Sequence, residues 1–205
     1  MYKTQMKAQK ILCLSAMVMA VILFLYALGI MTDLYDSLYS TLSIRVVENK
    51  ETGGYSISAK DRQVPGATVY TNMQAFNQVF VKYAIAYIVI AALLFVTNTG
   101  TRRRYYVSNY AAVGLFTAAS IYIPIFASPY IQIFKGQFLQ VDFAALKEYS
   151  ETFGSHYTES TMWFDLQYVV FALMIVSALL LVACTVWKVM LMKQEKKLVA
   201  EGGKA

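Results

Sequence analysis

Charged residues are scarce in this 205-residue chain, at 15% of the total, and it has a single histidine and two cysteines. An average soluble domain carries about 25% charged residues. The deficit is concentrated in long uncharged runs, whereas a soluble helix needs polar residues at helical spacing to supply its wet face. Ordinary soluble helices are thereby excluded. His156 is the only histidine, so a metal centre of three or four convergent ligands is not expected, and His156 reads as a surface residue. Cys13 and Cys184 both fall inside the apolar runs. The segments between the runs therefore have no thiols for disulfide staples or for thiol-oxidising chemistry. No Asn-x-Ser/Thr sequon occurs, which favours a prokaryotic plasma membrane.

Other absences bear on chemistry. Gly53-Gly54 is not followed by the Lys-Ser/Thr pair of a phosphate-binding loop. Ser155, Ser160 and Thr161 have no credible base beside them. No carboxylate lies in the middle of a run, where a small proton-coupled exporter needs one. Neither an enzyme nor a bound cofactor is expected.

The uncharged runs themselves cover residues 11–31, 83–101, 105–134 and 166–187. A helix needs roughly 20 apolar residues to cross a hydrocarbon layer of about 30 Å. Each run is long enough to cross once. They are apolar on every face, unlike the alternating strands of about 10 residues that build a membrane barrel. The predicted spans are 11–31, 79–98, 106–127 and 166–190, with Lys82 reaching to the interface from the second. Between them lie an outer loop at 32–78, an inner loop at 99–105 and a second outer loop at 128–165, with a tail at 191–205. Pro124 and Pro129 read as the end of the third helix bending into its loop.

Basic residues set the orientation. The N-terminal segment, the 99–105 loop and the C-terminal end together carry eleven cations and two acids. The two larger loops carry seven cations and ten acids. One side is therefore +9 and the other −3, consistent with the overall +6, and the short basic segments belong in the cytoplasm. Both termini are then cytoplasmic. The basic pI follows from topology and implies no nucleic acid; anionic lipid head groups are the expected contact. The apolar run of the first span exceeds the 7–15 residues of a signal peptide, so the span is expected to be retained.

In the first outer loop, residues 43–47 and 55–59 have strand-like composition on either side of the turn-rich stretch 48–54, which predicts a hairpin. In the second, Leu139, Phe143, Leu146 and Phe153 recur at helical spacing, flanked by Phe138 and Tyr149, with Gln140, Lys147, Glu148 and Glu151 opposite. That pattern predicts an amphipathic helix of about four turns that lies in the outer head-group layer, folds onto the bundle or docks into a partner's groove, its mixed-charge polar face favouring protein contact over lipid. The expected fold is an all-α membrane protein. Its four-transmembrane-helix bundle would carry a small extracellular β-hairpin-like loop and an extracellular amphipathic helix.

Features of association remain. Ala16/Ala20, Ser108/Ala112 and Gly114/Ala118 are small residues four apart, which let helices approach closely within the chain or to a partner. Asn98 and Asn109 bracket Arg102, Arg103 and Arg104. The amides are suited to capping helix ends or bonding between spans two and three, and the arginines to fixing topology and binding lipid phosphate.

The segments 7–12, 24–36, 97–106 and 137–147 resemble a group of small four-span membrane proteins of Firmicutes that accompany carbohydrate ABC importers. That group has no assigned catalytic residues, so none carry over. The resemblance implies partners: ABC permease subunits, an extracellular solute-binding protein, or both. The expected function is a non-catalytic accessory subunit of such an importer in the plasma membrane. The alternatives are a self-oligomerising small transporter or channel, and a membrane enzyme with a site in its outer loops.

The topology is tested with Cys13 and Cys184 replaced by serine and one new cysteine at a time. A membrane-impermeant thiol reagent on intact cells is expected to modify Q140C and spare R103C. Modification of R103C would overturn the orientation.

Overall fold

A computed structural model describes residues 2–30, 45–49, 54–58, 66, 68–100, 106–147 and 158–202. Four long helices dominate it: α1 (Tyr2–Gly29), α2 (Thr68–Asn98), α3 (Val107–Phe138) and α4 (Met162–Gly202). Each is long and apolar enough to cross a membrane, so the chain is compatible with a four-helix membrane bundle. At 1.5 Å per residue even the shortest, with 28 residues, reaches about 42 Å, more than one hydrocarbon thickness. Two strands, β1 (Arg45–Asn49) and β2 (Gly54–Ser58), pair antiparallel with Val47 opposite Ser56.

The helices are longer than the uncharged runs. α2 begins at Thr68, well before the expected boundary at 79, and α4 continues through charged residues to Gly202. α3 does not end near its prolines but runs through Pro124 and Pro129 to Phe138. Each proline removes one backbone hydrogen bond. Where no water competes, the remaining bonds hold the helix together.

The predicted amphipathic helix is interrupted. Its first residue, Phe138, is the last of α3; a turn follows, and residues 143–147 are helical again. The break has a local cause. The Asp142 side chain accepts a hydrogen bond from the Ala145 amide at 3.0 Å, and its carbonyl accepts one from Leu146 N, so Asp142 caps a new helical turn. The remainder of the predicted helix, with Tyr149 and Phe153, lies outside the described residues.

The chain forms two compact units, and every long helix contributes to both. The terminal unit contains residues 1–24, 84–124 and 169–205. Alanines are prominent in its core: Ala16, Ala20, Ala84, Ala91, Ala112 and Ala178 are buried beside Leu23, Phe116 and Met174. Small side chains let backbones approach, which is how helices gain dispersion contact where lipid supplies no hydrophobic drive. Tyr87 donates to Ser120 Oγ at 2.8 Å, and Ser120 donates in turn to the Phe116 carbonyl, so the two hydroxyls in this core are satisfied.

The loop unit contains residues 25–83 and 125–168. Its core is aromatic. Phe76 of α2 packs against Phe80, Tyr130 and Phe134 with ring centroids 5.5–5.6 Å apart. Phe138 meets Phe164 at 5.2 Å, joining α3 to α4. Tyr26 of α1 packs edge-on against Phe80 and donates a hydrogen bond to the Trp163 carbonyl at 3.0 Å. Two glycines permit close approach here. Gly66, at φ 81°, lies against the Gln140 and Val141 backbone, where a side chain would be strained and would collide. Gly29 lies beneath the Trp163 ring, in the space a Cβ would need.

Replacing Gly29 by alanine would ordinarily favour a helix by up to about 1 kcal/mol. Here it forces Trp163 to move, and overpacking costs about 1–3 kcal/mol. G29A is expected to lower the thermal unfolding midpoint of the purified protein, and an unchanged or raised midpoint would show that the ring yields freely.

Candidate functional site

Two polar features are built from residues that the charge pattern does not reveal. The first is a carboxamide network in the terminal unit. The last carbonyls of any helix lack intrahelical partners, and the final two of α2, at Thr97 and Asn98, are satisfied from two neighbouring helices. Gln9 of α1 donates to the Asn98 carbonyl at 2.9 Å and to Asn98 Oδ1 at 3.2 Å. Asn109 of α3 donates to the Thr97 carbonyl at 2.6 Å. Asn109 Oδ1 also accepts from Tyr106 N at 2.8 Å while Asn109 N donates to the Tyr106 carbonyl, a reciprocal cap that starts α3. Asn98 Nδ2 donates to Thr97 Oγ1 and to the Asn109 carbonyl.

Gln5 extends the network to α4. Its Nε2 donates to Gln9 Oε1 at 2.9 Å and approaches Cys184 Sγ at 3.7 Å. One turn beyond Cys184, Lys188 is fully buried, with Nζ 4.6 Å from the centre of the Tyr2 ring. Its charge is held by the face of the ring rather than by a carboxylate alone. The bonding role expected of Asn98 and Asn109 is present; the participation of Gln5, Gln9 and Lys188 is not visible in a count of charges.

The second feature lies in the loop unit. Asn77 of α2 and Gln167 of α4 are fully buried, and none of their amide nitrogens or oxygens has a hydrogen-bond partner among the described residues. The same holds for Oε1 of Gln137 on α3. A buried polar group left unpaired costs about 1–3 kcal/mol, so two fully buried carboxamides and a third buried amide oxygen in one unit are a substantial burden. Close by, Lys135 in the last turn of α3 pairs with Asp165 in the first turn of α4, and Thr161 donates to Asp165 Oδ2 at 2.8 Å. Each charge also suits the helix dipole where it sits. Gln132 donates to the Tyr168 hydroxyl at 2.8 Å.

The residues predicted to dock a partner do not form one exposed face. Phe138 and Leu146 are fully buried, Phe143 is half-buried with its ring 5.2 Å from Phe138, and Leu139 is exposed. Phe138 and Leu146 thus serve the core of the loop unit, because the turn at 139–142 folds the short helix back onto it. Arg102, Arg103 and Arg104, like His156, lie outside the described residues. The small-residue pairs separate clearly. Ala16 and Ala20 are buried, and Ala112 is buried beside an exposed Ser108. Gly114 and Ala118 face outward on α3, and a Cβ at Gly114 would meet nothing within 4 Å. Among the described residues, no group of three His, Cys, Asp or Glu could hold a metal ion.

No family model matches the chain, and neither a curated protein nor a solved structure matches it.

The network at the end of α2 has a measurable weight. Q9L and N109L each strip hydrogen bonds from the buried end of that helix and are each expected to cost about 1–3 kcal/mol in reversible unfolding of the purified protein. Because both act on the same helix terminus, the double variant is expected to lose less than the two single losses combined. Strict additivity would show that the two amides act separately.

Proposed function

We propose that the chain is a non-catalytic accessory subunit of a bacterial membrane transport complex, seated in the plasma membrane with both termini in the cytoplasm. A carbohydrate ABC importer is the assembly implied by the sequence resemblance, with its permease helices as the intramembrane partner. Segments of the loop unit, including the hairpin and the short helix at 143–147, would meet the permease's outer face or the solute-binding protein.

One observation carries this reading: the outward face of α3. Gly114 and Ala118 stand exposed there beside other outward apolar residues of the same helix, Leu115, Ile121 and Ile125. An outward small residue inside an apolar span leaves a shallow groove. A second helix fills such a groove better than disordered lipid tails do, because association in a membrane depends on close packing. The amide network at the end of α2 supports the same reading, since it ties α1, α2 and α3 into a firm scaffold on which that face is presented.

The test is purification of the intact protein from its native host in mild detergent. Permease subunits are expected to accompany the wild type. G114L and A118L, which fill the groove, are expected to lower their recovery about tenfold, the effect of roughly 1.4 kcal/mol, while membrane insertion persists. Recovery of a homo-oligomer without permease would establish the self-associating alternative, and equal permease recovery from both variants would remove this face from the interface.

A further inference from the structure

Two fully buried carboxamides in the loop unit, Asn77 and Gln167, and the buried Oε1 of the half-buried Gln137 present amide atoms that no described residue satisfies. Ring and polar contacts place them at one level. Phe134 of α3 packs against Phe76, the residue before Asn77, with centroids 5.5 Å apart. On the other side, Lys135 and Gln132 of α3 bond to Asp165 and Tyr168 of α4, which flank Gln167. Asn77 and Gln167 therefore lie at the depth of residues 132–135 of α3, and Gln137 is within about one turn of that level. Asn77 shares the buried stripe of α2 with Met73 and Phe80, and Gln167 shares that of α4 with Phe164, Val170 and Met174. Both amides belong to the interior of the unit and not to its surface.

The unsatisfied atoms define a chemistry. They comprise two amide NH2 groups and three carbonyl oxygens. At the same level Lys135 and Asp165 neutralise each other, so this pair does not compensate an incoming ion. Groups that donate and accept at once, without charge, match this set: hydroxyls. The faces of Phe76 and Phe134 supply an apolar wall beside them. Elsewhere in the chain, Gln9, Asn98 and Asn109 find partners in one another, and Gln5 is paired through its Nε2 with only its Oε1 unpaired among the described residues, whereas Asn77 and Gln167 are unpaired at both amide atoms.

We propose that Asn77, Gln137 and Gln167 form a binding site for small neutral hydroxyl compounds within the loop unit. Water is the smallest occupant and short polyols are larger members of the same class; buried waters characteristically take about three hydrogen bonds from such groups. The site stands independently of any transport partner.

The experiment uses the full-length purified protein in detergent, in buffer free of polyols. N77L and Q167M remove the hydrogen-bonding atoms at nearly constant volume. If the amides bind hydroxyls, each variant lowers the unfolding midpoint by several degrees. If they are dry and unpaired, each variant raises it, because a desolvation penalty is removed. Radiolytic footprinting of the wild type provides a readout that does not depend on variants folding. Water held at the site should make Phe76 and Phe134 oxidise faster than the similarly enclosed Phe171 of the terminal unit. Glycerol titration separates the occupants, with trimethylamine N-oxide as an excluded osmolyte that cannot donate a hydrogen bond. A saturable rise in midpoint seen only in the wild type identifies a polyol site. Parallel responses in all three proteins, with the variants less stable, identify resident water. Oxidation of Phe76 and Phe134 no faster than that of Phe171, or higher midpoints in both variants, overturns the proposal.

Discussion

A helix ending in an apolar medium leaves carbonyls that water cannot reach, and the far end of α2 meets this constraint with side-chain amides from other helices. Gln9 and Asn109 each reach one of its last carbonyls. Asn109 at the same time starts α3, so the end of one helix and the beginning of the next are parts of a single hydrogen-bonded assembly. The placement of α1 and α3 against α2 follows from it: moving either helix by a turn would strand buried carbonyls at several kcal/mol each in hydrocarbon surroundings. The alanine-lined core of the terminal unit is the packing counterpart. It brings the backbones close enough for short amide side chains to bridge them.

The loop unit solves a different problem. Aromatic rings carry its packing, and the shape of those rings demands glycine where chains approach most closely, at Gly29 under Trp163 and at Gly66 against the backbone of residues 140–141. Rings fill volume without offering hydrogen bonds, and the polar groups set among them, Asn77 and Gln167, find no partner among the described residues. The two units thus treat most of their buried amides differently, Gln5 Oε1 of the terminal unit also being unpaired. Amides beside a helix terminus are consumed by backbone carbonyls, whereas amides among phenylalanines are left for something smaller than a side chain.

Much of the architecture was legible from charge. The uncharged runs located all four helices, because a charge in hydrocarbon costs enough to be excluded from a span. Charge was a poor guide to where helices stop. α2 and α4 extend past it through Asn72 and Lys193, and α3 passes two prolines, since helical hydrogen bonding continues wherever nothing better is offered. Within the amphipathic pattern that begins at 138, the described part, to residue 147, is two helical pieces and not one continuous helix. Asp142 caps a fresh turn, and Phe138 and Leu146 go into the protein's own core. Asn98 and Asn109 were identifiable because they flank a short basic linker; Gln5, Gln9, Asn77 and Gln167 were not, because a neutral amide leaves no mark in a count of charges.

The sequence alone determined that this chain forms four apolar helices suited to a membrane, because that follows from transfer free energies summed residue by residue along the chain. Tertiary structure decided which polar side chains meet and which do not. Ala16 and Ala20 turned inward while Gly114 and Ala118 turned outward, and Gln9 found a helix end while Asn77 did not. Those outcomes depend on the rotation and axial register of helices far apart in sequence. A run that is apolar on every face does not encode either quantity, since each face has nearly the same free energy in lipid.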